Sequence, residues 1–175
     1  MRAYQVLLLA LLSHCAYAQD IGAWKFGMSA DEIRAQATFG PYKAFSNGDL
    51  ETYNGSFAGA KRNFQFYLRD GKLWRIAIRM YEGRDLDQAT IVWRETYAAL
   101  SQEFGAIETP KMVAGPVENL AQQARKLVEA GSKAQMAPVK QHSGEFVFST
   151  FASGKPPVGG TVYMVTINVD RPPDL

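Results

Sequence analysis

Cysteine is nearly absent from this 175-residue chain. Cys15 is the only one, and the only histidines are His14 and His142. A zinc site needs clustered Cys, His or carboxylate ligands, so the composition argues against one. No disulfide can close within the chain, and the fold must rest on packing alone. An excess of charge is missing too. Nineteen Lys and Arg face seventeen Asp and Glu, and no dense basic run occurs. That excludes the electrostatic footprint of a nucleic-acid binder. Beyond the N-terminus there is no apolar run of membrane-spanning length. The catalytic signatures G-x-S-x-G, S-x-x-K and G-x-x-x-x-G-K are all missing. Asp85-x-Asp87 matches two positions of a calcium loop but lacks its glycine and distal glutamate, so it reads as helix-capping chemistry.

What is present begins with an export signal. Arg2 supplies the positive end, residues 6–12 (VLLLALL) the apolar stretch, and Ala16-Tyr17-Ala18 a small-x-small cleavage site. Residues 1–18 are expected to be removed, and with them Arg2, His14 and Cys15. Leu12-Ser13-His14-Cys15 partly matches a bacterial lipobox, but His14 stands where a small residue belongs. This argues against a lipid anchor at Cys15. The expected product is a periplasmic or secreted bacterial protein with one domain over residues 19–175. Its 47% hydrophobic and 21% charged residues are ordinary for a globular chain.

Residues 61–105 organise the rest. Phe64, Phe66 and Leu68 alternate with polar residues, and Trp74, Ile76, Ile78 and Met80 do so after Asp70-Gly71. Period-2 alternation predicts a hairpin with one buried face. A two-residue Asp70-Gly71 loop pairs Arg69 with Lys72 and Phe66 with Arg75, which sets an arginine on the apolar face. A three-residue loop with Gly71 as a left-handed bulge pairs Leu68 with Lys72, Phe66 with Trp74 and Phe64 with Ile76. The second register is therefore expected. A helix follows, capped by Asp85 or Asp87 and stopped by Gly105. Its stripe is Ala89, Val92, Trp93, Thr96, Tyr97, Leu100 and Phe104.

Elsewhere the pattern predicts a short strand or extended arm over residues 19–26. Ser29 and Glu32 form a capping box, with a Met28/Ile33 staple, for a helix reaching about Thr38. Strands are expected over 42–45 and 50–53, with a turn at Asn54-Gly55-Ser56 and a loose stretch over 57–60. Pro116 suits the first turn of a second long helix, whose stripe runs from Val117 to Val128. Residues 136–141 read as an edge strand because of Pro138. Strands at 145–152 and 161–170 flank a mobile loop, residues 153–160 (SGKPPVGG). The fold class is α+β: two layers, with helices packed on one face of an antiparallel sheet.

The order FGMSADEI, then FGP, then the aromatic hairpin FYLRDGKLWRIAI, then a helix ending in EFG, resembles two groups of small envelope modules. They are the outer-membrane-assembly lipoproteins (BamE/SmpA-like) and the β-lactamase inhibitory proteins. The resemblance covers about residues 24–105. It implies helices on an antiparallel sheet and a binding module that acts on other proteins.

The polar hairpin face supplies the candidate site. Tyr67, Arg75, Arg79 and Tyr81 combine aromatic area with guanidinium donors, the side chains enriched at binding hot spots. The 153–160 loop is a second candidate. The expected function is a non-enzymatic binder of a protein or envelope component, acting as an inhibitor, an immunity protein or an assembly accessory. No cofactor, metal or nucleic acid is expected. Two other readings stand beside it. One is a small hydrolase using carboxylates or His142; the other is a carrier of an apolar ligand, motivated by the aromatic content.

Overall fold

Ser29 opens the first helix as the sequence dictates. Its hydroxyl accepts from the Glu32 backbone N–H, and the Glu32 carboxylate accepts from the Ser29 N–H. The Ser29 N–H and the Ser29 hydroxyl both donate to this carboxylate and hold Glu32 below the usual carboxylate range. The computed structural model describes residues 21–171 except His142. The expected signal segment, Cys15 and His142 lie outside the described residues. Helix α1 is short, Ala30–Arg34, and a 3₁₀ turn at Ala37–Phe39 takes the place of its expected continuation. Residues 21–27 form turns rather than a strand. Gly27 N–H donates to Leu73 O at 2.8 Å and Leu73 N–H to Met28 O at 2.8 Å, which ties these turns to the sheet.

The strands are β1 (Tyr42–Ala44), β2 (Leu50–Phe57), β3 (Ala60–Arg69), β4 (Lys72–Gly83), β5 (Ala134–Gln135), β6 (Val139–Lys140), β7 (Phe146–Gly154) and β8 (Val162–Asp170). They form one antiparallel sheet in the order β1-β2-β3-β4-β8-β7-β5, with β6 also on β7. The two long helices are α2 (Leu86–Phe104) and α3 (Val117–Glu129). The molecule is therefore α+β with an antiparallel sheet. No helix among the described residues is long and apolar enough to cross a membrane.

Two expectations for β2 fail together. The strand runs through Asn54-Gly55-Ser56, and the turn falls at Ala58-Gly59, both with positive φ. A register shift between Thr52 and Gly55 absorbs the extra residue, so the turn residues serve a bulge instead. A Cβ at Gly55 would run into the ring of buried Phe64.

The hairpin register also differs from expectation. Asp70 and Gly71 form a two-residue loop, both left-handed, and Arg69 pairs with Lys72. Yet Phe66 meets Ile76 and Phe64 meets Ile78, because a bulge at Trp74 inserts one residue between Leu73 and Arg75. The chain escapes the arginine conflict by a bulge within the strand rather than by a longer loop. Trp74 therefore leaves the apolar face. A second bulge at Met80 shifts β4 against β8 between Arg79 and Tyr81.

Helix α2 starts at Asp85, whose carboxylate accepts from Gln88 N–H at 3.0 Å, and ends before Gly105 with φ 81°. Ala89, Trp93, Thr96 and Leu100 are buried as the stripe predicts, and Thr90 joins them. Pro116 sits one residue earlier than expected, at the cap of α3, which buries Leu120, Ala121, Ala124 and Val128. Of the expected strand over 136–141 only Val139–Lys140 forms, as β6, and Pro138 lies in the gap that separates it from β5 at Ala134–Gln135. A single apolar cluster joins Trp24, Ile33, Phe64, Ile76, Ile78 and Ile167 with the inward residues of α2 and α3. Arg125 of α3 ties the two helices by bonding Asp87.

Gly55→Ala is expected to lower stability by about 1–3 kcal/mol, since Phe64 has no room to yield. Urea unfolding should show a lower midpoint with an unchanged slope.

Candidate functional site

The face opposite the apolar cluster is laid out in rows by strand pairing. Tyr67, Arg75, Asp170 and Phe146 face one another across β3, β4, β8 and β7. The next row is Gln65, Ala77, Asn168 and Phe148, and the next is Asn63, Arg79, Thr166 and Thr150. Tyr67, Arg75 and Arg79 thus share one face, as expected. Tyr81 does not. The Met80 bulge reverses the alternation, and Tyr81 pairs with buried Val165. Its hydroxyl donates to Asp85 O at 3.0 Å and accepts from Asp85 N–H at 3.2 Å, bracing the start of α2.

Arg75 is engaged within the protein. Its Nε and Nη2 donate to the two Asp170 carboxylate oxygens, each at 2.6 Å. This bidentate bond, outweighing burial, raises the Arg75 pKa above its ordinary value. The pair fastens the outer end of β4 to β8. The same guanidinium stands over three rings, with centroids at 4.5 Å for Trp74, 5.7 Å for Phe148 and 6.0 Å for Tyr67. Arg69 covers Trp74 as well, at 4.3 Å. Trp74 therefore carries two cations on its ring, an arrangement its bulge position makes accessible.

Arg79 is tied less tightly. Its Nη2 donates to Gln65 Oε1 at 3.2 Å, and its Nε faces Glu82 Oε2 at 3.5 Å. Gln65 Oε1 also accepts from the Tyr67 hydroxyl at 3.0 Å. Between them lies a shallow depression of about 270 Å³, floored by Ala77, Thr150, Thr166 and Asn168. Short side chains on adjacent strands leave this hollow, and Thr166 and Asn168 are buried although they belong to the outer face.

The loop between β7 and β8 is shorter than expected, because Ser153 and Gly154 extend β7. Its tip is exposed through Lys155, Pro156, Pro157 and Val158. Among the described residues, no group of three or more His, Cys, Asp or Glu side chains is placed to hold a metal ion.

Sequence reasoning missed Arg69, Trp74, Phe148 and Asp170. The signal for Trp74 was the conflict itself: a sound two-residue turn that set an arginine against a phenylalanine. Asp170 left no local signal, because it comes to Arg75 across ninety-five positions of chain.

Asp170→Ala leaves a half-buried guanidinium without its acceptors and is expected to cost about 1–3 kcal/mol. Trp74→Ala, which removes only stacking on a partly exposed bulge, should cost about 1 kcal/mol or less. Parallel urea titrations of the two variants check the ranking.

No family model, no curated protein and no solved structure matches this chain.

Proposed function

We propose that the chain is an exported, non-enzymatic binding module. In this reading residues 19–175 form a single domain whose helices cover one face of the antiparallel sheet. The other face contacts a protein of the bacterial envelope or its surroundings. One observation carries the reading: Trp74 is stacked by Arg69 and Arg75 beside Tyr67, on the face turned away from the apolar cluster. Tryptophan, tyrosine and arginine dominate binding hot spots. Asp170 holds Arg75 in place before any partner arrives, which reduces the ordering cost of association.

The charges on this face indicate the partner's chemistry. Lys43 faces Glu51 at 3.4 Å, and Arg75 and Arg79 have Asp170 and Glu82. Arg69 has no carboxylate among the described residues, and Lys61 reaches only the neutral Asn54 Oδ1. Positive charge is left over, so the fitting partner presents carboxylates around an apolar side chain. The sequence resemblance to small envelope modules agrees with a protein partner. An inhibitor or immunity role and an assembly-accessory role both fit such a surface.

The test is cross-linked capture from envelope and secreted fractions, comparing the wild-type chain with Arg69→Glu/Trp74→Ala. Arg75 is left intact, because removing it would unpair Asp170 and disturb the sheet. The expected result is a specific protein captured by the wild type and reduced about tenfold or more by the variant, whose circular dichroism stays native. Equal capture by both, or none by either, would sink the reading.

A further inference from the structure

On the opposite side of the sheet lies a second feature, independent of the Trp74 face. A cavity of about 520 Å³ opens between the sheet, the turns at residues 21–27 and the C-terminal end of α2. Its walls include Trp24, Phe26, Phe57, Ile78, Phe104 and Val169. Trp24, Phe57, Ile78 and Val169 belong to the apolar cluster, so core residues back the cavity. Its volume lies within the range of small-molecule sites, roughly 300–1,000 Å³, which are apolar with a few polar groups.

The charged groups at the cavity are unevenly matched. Glu145 has Arg171 at 3.8 Å. Glu103 also lines the cavity and has an interaction of its own. Lys25 is exposed and lines the cavity too, which places it at the mouth. Among the described residues its ammonium has no ion pair and no hydrogen-bond acceptor. An apolar interior with an unmatched cation at the entrance fits an amphiphile with one anionic head.

We infer that the cavity binds the acyl chain of a fatty-acid-class carboxylate, with Lys25 meeting the head group. Glu103 and Glu145 set the sign of the test, because both carboxylates would repel that head if Lys25 did not govern the entrance. A cationic amphiphile is therefore the sharpest competitor.

The experiment uses the chain from Gln19 onward, which retains every described residue of the fold. N-phenyl-1-naphthylamine, an uncharged fluorescent probe, should brighten on binding. Laurate, monolaurin and dodecyltrimethylammonium then compete for the site with a common chain length and different heads. Laurate should displace the probe about tenfold more strongly than dodecyltrimethylammonium. Lys25→Glu should weaken laurate by about tenfold while leaving monolaurin unchanged. Gly22→Trp, which fills the mouth from an exposed position, should weaken all three. Circular dichroism confirms that both variants fold, as neither change touches the core. The inference is overturned by any one of three results: no brightening of the probe, dodecyltrimethylammonium as strong as laurate, or Lys25→Glu without effect on laurate. None of these bears on Arg69 or Trp74, so the sheet-face reading stands or falls separately.

Discussion

Everything in this structure depends on the pleat of β4. Among the described residues it is the longest strand, with twelve residues, and it lies between β3 and β8 in the sheet. A strand alternates faces without exception unless a residue is inserted. Here two insertions, Trp74 and Met80, divide it into three stretches of opposite phase. The middle stretch points Ile76 and Ile78 into the apolar cluster and Arg75, Ala77 and Arg79 away from it. The outer stretches invert that rule, so Leu73 and Tyr81 turn inward. Without the bulges, the sound Asp70-Gly71 turn would have forced an arginine against Phe66. The bulges reconcile a good turn with a good core.

The same parity divides the chemistry between two sides of one sheet. On one side, charges are neutralised in place, as Arg75 with Asp170 and Lys43 with Glu51 demonstrate. Guanidinium and aromatic groups are held in fixed register there, and the leftover positive charge sits at Arg69 and Lys61. On the other side, the turns before Ser29 and the end of α2 border an apolar hollow against the sheet. The two regions share no residue that either argument uses, so a change in one need not reach the other.

What the sequence disclosed, and what it did not, follows from the range of each determinant. The Ser29–Glu32 box, the Asp85 cap, the Gly105 stop and the helical stripes depend on residues within a few positions, and all were legible. Pro138 as an edge signal was equally local. The bulges were not legible, because an inserted residue is decided by what stands on the neighbouring strand. For Trp74 that neighbour is β3; for Met80 it is β8, more than eighty residues further along. The first bulge moved Trp74 out of the expected core, and the second moved Tyr81 out of the expected site. Likewise Asn54-Gly55-Ser56 has the composition of a turn, yet Phe64 across the strand requires a residue without a side chain, and β2 runs on through it.

The division of β5 from β6 at Pro138 bears on how a chain with a single cysteine limits pairing with other sheets. Unpaired strand edges are templates for other chains, and long flat edges are the dangerous kind. One margin of this sheet is broken into two strands of two residues each, with a proline between them that has no N–H to offer. At the other margin β1 is only three residues long, and the part of β2 it leaves bare carries the bulge between Thr52 and Gly55. Neither border offers a straight row of donors and acceptors long enough for a second copy to continue the sheet. A protein lacking covalent cross-links must at times open partly, and borders of this kind keep such an opening from growing into a fibre.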